Sequence, residues 1–365
     1  MNIQNFITIF ILLLSLLYLS PSIHARPLIN AKSSNISAVF AFGDSTLDSG
    51  NNDKLLTLVR ADHPPYGQNF PGRVPTGRFS NGKLITDFLT SAIHLKDALP
   101  PNLAIGLSAD DLSTGLSFAS AGSGYDDLTA QSSVVLTMDQ QLRYFSDYMR
   151  RMSIAGKDNK FLSDAVFVIG AGSNDMIMNF YTLPVRKSTY TLDQYQDFLQ
   201  SKLSSFVKEL YNMGGRKFTV AGLPPLGCIP FQITNHINTR PGPPGVPRSR
   251  ACVDEQNDDA MKYNTKLQTT LNDLRKSLPD SKIVYVDIYN PMMDMINNPT
   301  KYGFTETTLG CCGTGTMEMG PLCSIPLPTC PDPSKFMFWD SVHPSEAAYK
   351  ALADEFMQTV LPQLT

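Results

Sequence analysis

Ala38-Val39-Phe40-Ala41-Phe42-Gly43-Asp44-Ser45 is the stretch on which the reading of this chain turns. Five apolar residues in a row, without polar alternation, suit a strand buried on both faces, as in a parallel sheet. Four more β-rich runs follow: Leu116–Ala119, Ala165–Ile169, Lys217–Ala221 and Ile283–Ile288. Helical patterns lie between them. Leu192, Tyr195, Leu199, Leu203, Phe206 and Leu210 recur at helical spacing, as do Met261, Asn264, Leu267, Leu271 and Leu274 in a segment that ends before Pro279. Strands alternating with helices predict an α/β fold whose parallel sheet is covered on both sides. Asn235 to Arg250, rich in Pro and Gly, and Pro326 to Pro333 read as surface loops.

Ligands of such sheets gather beyond the carboxyl ends of the strands. Ser45 follows the first run, Gly122 lies three residues past the second, and Asn174 follows the third within Gly170-Ala171-Gly172-Ser173-Asn174-Asp175. Far along the chain, Asp340 and His343 stand three residues apart, just after Phe336-Met337-Phe338-Trp339. A serine hydroxyl is a poor nucleophile until an imidazole can take its proton, and the imidazole must itself be oriented by a third group. Ser45, His343 and Asp340 supply those parts, and the Ser45 N–H, the Gly122 N–H and the Asn174 amide could converge on an oxyanion. Each residue also has a plainer reading: Ser45 as a turn or cap, His343 as a surface histidine, Asp340 as a helix cap, although Ser345 with Glu346 suits the cap better. Of the five His, His24 lies in the leader described below, and His63, His94 and His236 have no carboxylate at a telling spacing. Asp44, Asp48, Asn51 and Asp175 read as turn-forming neighbours. No G-x-S-x-G elbow is present.

Bulk properties narrow the class. Of 365 residues, the first 25 read as a signal peptide, with an apolar run from Phe6 to Leu19 and small residues before a cut after Ala25. No Lys or Arg precedes that run, and its length is short of a bilayer span. Residues 26–365 are expected to form one catalytic domain. The net charge of −3 suggests neither nucleic acid nor an anionic membrane as partner. All six Cys lie in the second half, which in an exported chain predicts disulfides. Cys228 and Cys252 bracket the Pro/Gly-rich loop and are expected to pair. Vicinal Cys311 and Cys312 would reach Cys323 and Cys330 in an order that spacing leaves open. Zinc is the weaker alternative, since paired CxxC units and a nearby His are missing. Asn35-Ile36-Ser37 is an N-glycosylation sequon, whereas Asn298-Pro299-Thr300 is blocked by its proline.

Combined, the motifs closely resemble the plant extracellular GDSL esterase/lipases of the SGNH hydrolase superfamily, over nearly the whole chain after the leader. Phe42-Gly43-Asp44-Ser45 with Asp48-Ser49-Gly50-Asn51-Asn52 resembles the first block. Phe118-Ala119-Ser120-Ala121-Gly122 resembles the second, Gly172-Ser173-Asn174-Asp175 the third and Trp339-Asp340-Ser341-Val342-His343-Pro344 the last. Pro75–Asp87, Leu223–Cys228 and Tyr302–Gly313 are similar to stretches of plant members. The resemblance implies a three-layer α/β/α sandwich, flavodoxin-like, with a five-stranded parallel sheet. It implies Ser45, Asp340 and His343 as triad and Ser45, Gly122 and Asn174 as oxyanion hole. It further implies an open site without a deep acyl tunnel, and no metal or other cofactor. Thr46 stands where the family name has Leu, and Ser117 where many members carry Asn; both bear on substrate fit.

The expected function is therefore a secreted serine esterase or lipase in the apoplast or cell wall. Its partner would be a small-molecule, lipid or polymer-linked ester, with no transmembrane segment and no obligatory protein partner. An acyltransferase would need the same residues, with an alcohol intercepting the acyl-enzyme. A non-catalytic wall- or lipid-binding protein could use the same fold without the chemistry.

Overall fold

The computed structural model describes residues 36–154, 159–183, 185–239 and 249–365. The leader, the Asn35 sequon and the centre of the Pro/Gly-rich loop lie outside the described residues. Strands β1 (Val39–Gly43), β2 (Val166–Gly170), β3 (Lys217–Ala221) and β4 (Lys282–Val286) form a wholly parallel sheet in chain order, with Gly43 opposite Gly170. The expected fifth strand, Leu116–Ala119, is reduced. It runs beside β1, donating from Phe118 N–H to the Ala41 carbonyl at 2.7 Å and from Ser120 N–H to the Gly43 carbonyl at 3.0 Å. Regular pairing shrinks to a bridge at Ser117, which on its other edge also bridges Pro101.

The strands read as uniformly apolar, yet side-chain size divides their faces. Phe40, Phe42, Phe167, Ile169, Phe218 and Val220 point into one core, packed by helices α3 (Leu192–Asn212) and α5 (Asp254–Ser277). Val39, Ala41, Val166, Val168, Val284 and Val286 point into the other, with Leu89 of α1 (Ile85–Ala92) and Phe356 of α6 (Glu346–Thr359). The result is the three-layer α/β/α arrangement. Helix α2 (Met138–Ile154) adds Leu142, Phe145 and Tyr148 to the aromatic core. A Thr191/Gln194 capping box starts α3, satisfying donors at its first turn. In α5, Ala260 and Tyr263 rather than Met261 line the buried stripe, and Met261 is exposed. Asn235 to Thr239, expected as loop, belongs to α4 (Pro230–Thr239).

A second element was not expected: a small parallel pair of β5 (Glu306–Gly310) and β6 (Phe336–Phe338). It sits beside two disulfides, Cys311–Cys330 and Cys312–Cys323, which resolve the open pairing; Cys228–Cys252 is the third. With all six thiols so used, the zinc alternative falls away. Among the described residues no helix is long and apolar enough to cross a membrane.

One buried ion pair ties the loops at the strand ends. Arg78 binds Asp87 bidentately, through Nε and one terminal nitrogen, both at 2.8 Å. Arg78 also donates to the Ser49 and Leu99 carbonyls, and Asp87 accepts from Leu84 and Leu99 N–H groups. Removing one partner leaves the other charge buried and unpaired. Arg78→Ala is expected to lower the unfolding free energy by about 3–5 kcal/mol, read from the urea midpoint; a midpoint within experimental error of wild type would refute that account.

Candidate active site

The first strand delivers Ser45. Gly43 has φ +141°, and a Cβ there would stand 1.8 Å from the Gly170 carbonyl oxygen, so glycine alone lets β1 and β2 end so close together. Gln141 of α2 brackets this residue, accepting from Gly43 N–H and donating to its carbonyl, each at 2.9 Å. Asp44 then accepts from Thr46 N–H and hydroxyl, which closes the turn that presents Ser45. Burial holds the Asp44 carboxyl above its ordinary range, against those hydrogen bonds.

Asp340 and His343 come from the turn after β6. Phe338 bridges Pro344, and Trp339 N–H donates to the His343 carbonyl at 2.8 Å, pinching the turn shut. His343 Nδ1 lies 2.7 Å from Asp340 Oδ2, and Nε2 lies 2.7 Å from Ser45 Oγ. A carboxylate only accepts, so Nδ1 carries the proton and Nε2 offers its lone pair to the serine hydroxyl. Asp340 also accepts from Val342 and His343 N–H groups and from the Tyr66 hydroxyl at 2.7 Å. Tyr66 in turn accepts from Gly320 N–H. The Phe79 ring packs on the imidazole at 4.8 Å between centroids. Ser345, not Asp340, caps α6, accepting from Ala348 N–H.

The three expected oxyanion donors are all uncommitted in part. Ala121 N–H is bound by Asp48 Oδ2 and Ser123 N–H by the Ser120 carbonyl, whereas Gly122 N–H between them donates to no described residue. Ser45 N–H likewise donates to no described residue, between Asp44 N–H on Gly170 and Thr46 N–H on Asp44. Asn174 spends one amide hydrogen on the Ser123 carbonyl at 2.9 Å and keeps the other.

Two buried carboxylates hold the loop that carries Gly122. Asp48 accepts from Gly50, Asn51 and Ala121 N–H groups. Asp175, next to Asn174, accepts from Tyr125 and Asp126 N–H groups and the Thr129 hydroxyl. A Cβ on Gly124 would stand 2.2 Å from Asp175 Oδ1, so the loop can close on the carboxylate only with glycine there. Asn51 donates to the Ser117 and Ala119 carbonyls, which makes it a brace for the same segment. Of the two departures from the family pattern, Thr46 lines the cavity beside Ser45, but Ser117 is fully buried and donates to the Leu47 carbonyl. Ser117 is structural and does not reach a substrate.

Sequence reasoning missed Tyr66 and Gln141. Gln141 had one available signal, a polar residue on the apolar face shared by Phe145, Tyr148 and Met152. Tyr66 had none, because its partner lies 274 residues away.

A parallel α/β sandwich that brings a serine, an imidazole and a carboxylate into contact at the strand ends defines a hydrolase-type architecture. Residues 39–356 match the model of the GDSL-like lipase/acylhydrolase family. GDSL esterase/lipase At2g40250 of Arabidopsis thaliana is 48% identical over 358 residues, covering 97% of this chain and 96% of the relative. GDSL esterase/lipase At1g06990 of the same plant is 41% identical over 363 residues, covering 98% and 99%. Among solved structures, an acetylxylan esterase mutant from Geobacillus stearothermophilus aligns at 16% identity and a TM-score of 0.40, covering 90% of this chain and 94% of that one. The chain belongs to the GDSL-like lipase/acylhydrolase family and is an ester hydrolase of that type.

Burial raises the Asp175 carboxyl to about 7 and the Asp48 carboxyl to about 6. The folded state therefore holds these protons more tightly than the unfolded chain, in which Asp titrates near ~3.9. Their contribution to stability is fully present below about pH 4 and is lost as pH rises through about 6 to 7. The melting temperature of Asp175→Asn, measured relative to wild type, should accordingly improve as pH rises from about 5 to 8. The opposite trend would show that this carboxyl ionises freely.

Proposed function

We propose that this hydrolase is a secreted serine esterase acting through Ser45, His343 and Asp340. The single observation that carries the proposal is the continuous Asp340–His343–Ser45 chain, with both links at 2.7 Å. Ser45 Oγ attacks the ester carbonyl carbon as His343 Nε2 takes its proton. The carbonyl oxygen gains the charge and is met by the N–H groups of Ser45 and Gly122 and the free Asn174 amide hydrogen. Collapse breaks the bond to the alcohol oxygen, which leaves with the proton from Nε2. Water, deprotonated by His343, then attacks the acyl-serine. Release of the carboxylic acid returns the proton to Ser45. Asp340 holds the Nδ1 tautomer throughout and stabilises the transient imidazolium. Four donors on Asp340 hold it fixed for that role.

The leader at residues 1–25, the Asn35 sequon and three disulfides support export to the apoplast or cell wall. The same triad would serve acyl transfer if an alcohol replaced water.

Residues 26–365, produced through a secretory host, should hydrolyse p-nitrophenyl esters. Ser45→Ala or His343→Ala should lower kcat by at least about 10³-fold, and Asn174→Ala by about 10²- to 10³-fold with little change in KM. Near-wild-type turnover by a folded Ser45→Ala protein would end the serine mechanism.

A further inference from the structure

The resemblance to GDSL enzymes implies an open site without a deep acyl tunnel. The structure differs. A cavity of about 120 Å³ begins at Ser45 and His343 and continues between the sheet and α6, where Val168, Val286, Leu352 and Phe356 wall it. Val168 retains 8% exposure although its neighbours on β2, Phe167 and Ile169, have none, and Val286, Leu352 and Phe356 keep 6%, 5% and 4%. These four residues lie on or against a sheet face that α6 covers, so their remaining accessible surface faces the cavity. The void belongs to the small-residue face of the sheet. The opposite face is filled by Phe40, Phe42, Phe167 and Phe218.

Resting on the esterase reading above, we propose that this cavity is the acyl-chain site and that the enzyme selects esters of short to medium straight aliphatic acids. The mouth lies at the serine that would carry the acyl group, and the walls beyond it are mostly hydrocarbon. An acyl chain attached to Ser45 Oγ would extend from the reacting carbon into that space and leave the alcohol portion outside. A cavity of about 150 Å³ takes a six-carbon benzene ring, so 120 Å³ open at its mouth holds a chain on the order of four to eight carbons. Leu352 and Phe356, on one face of α6, are the gauge of chain length.

The test is the chain-length profile of kcat/KM on p-nitrophenyl alkanoates from acetate to palmitate. Wild type should gain about fourfold per methylene while the chain is entering the cavity, peak between butyrate and octanoate, and fall at least tenfold by palmitate. Leu352→Phe, which fills the cavity, should move the peak about two carbons shorter. Phe356→Leu should move it longer. A flat wild-type profile, a monotonic rise to palmitate, or an unchanged profile in a folded Leu352→Phe protein would overturn the assignment. A second readout does not need turnover. Hexanoate and octanoate should raise the melting temperature of Ser45→Ala more than acetate does, and adding Leu352→Phe should remove that difference. Absence of turnover with graded alkanoate stabilisation would defeat the serine esterase reading and keep the cavity as a chain-binding site. Turnover with a flat profile and no graded stabilisation would do the reverse.

Discussion

Four aspartates with no solvent exposure organise the end of the sheet where chemistry would occur: Asp48, Asp87, Asp175 and Asp340. A carboxylate withdrawn from water is costly unless its lone pairs are met by donors. Most of the donors here are backbone N–H groups of loops. Asp48 fastens Gly50, Asn51 and Ala121, Asp87 fastens Leu84 and Leu99, Asp175 fastens Tyr125 and Asp126, and Asp340 fastens Val342 and His343. The need to satisfy each buried acid therefore dictates where four separate loops lie. Relax one of them and the loop that carries a reactive or stabilising group loses its anchor.

This constraint also explains which donors remain free. Around the Ser45 turn and the Gly122 loop, neighbouring N–H groups are consumed by Asp44, Asp48 and Ser120, and those of Ser45 and Gly122 donate to no described residue. Fixed dipoles of that kind need no reorganisation when charge develops, which is the property that makes an oxyanion site effective. Tyr66 extends the same principle to the Asp340–His343–Ser45 contact by giving Asp340 a hydroxyl donor that is itself held by Gly320.

The sheet contributes a different asymmetry. Aromatic residues crowd one face and small β-branched residues the other, and the cavity beside Ser45 is walled by Val168 and Val286 of the second face. The two faces thus divide the work. One supplies the large interlocked core of Phe40, Phe42, Phe145 and Phe167, and the other supplies a cavity walled by Val168, Val286 and Leu352.

Local pattern was enough for the strands, the long helices and the motif residues, because apolar runs and helical spacing are properties of neighbouring positions. The order of Ser45, Gly122, Asn174, Asp340 and His343 along the chain was legible for the same reason, as was the use of cysteine in disulfides. Local pattern misled at Leu116–Ala119, where the expected fifth strand is reduced to a bridge at Ser117, and at Met261, which shares the spacing of the core stripe but not its side of α5. The contact of His343 with Ser45 spans 298 residues, and that of Tyr66 with Asp340 spans 274. Such partners, the pairing of Cys311 with Cys330 and of Cys312 with Cys323, the parallel pair β5–β6 and the cavity depend on how distant segments stack. Hydrogen bonding and close packing act through distance in space, which the linear chain does not record, so these features were decided by the tertiary structure alone.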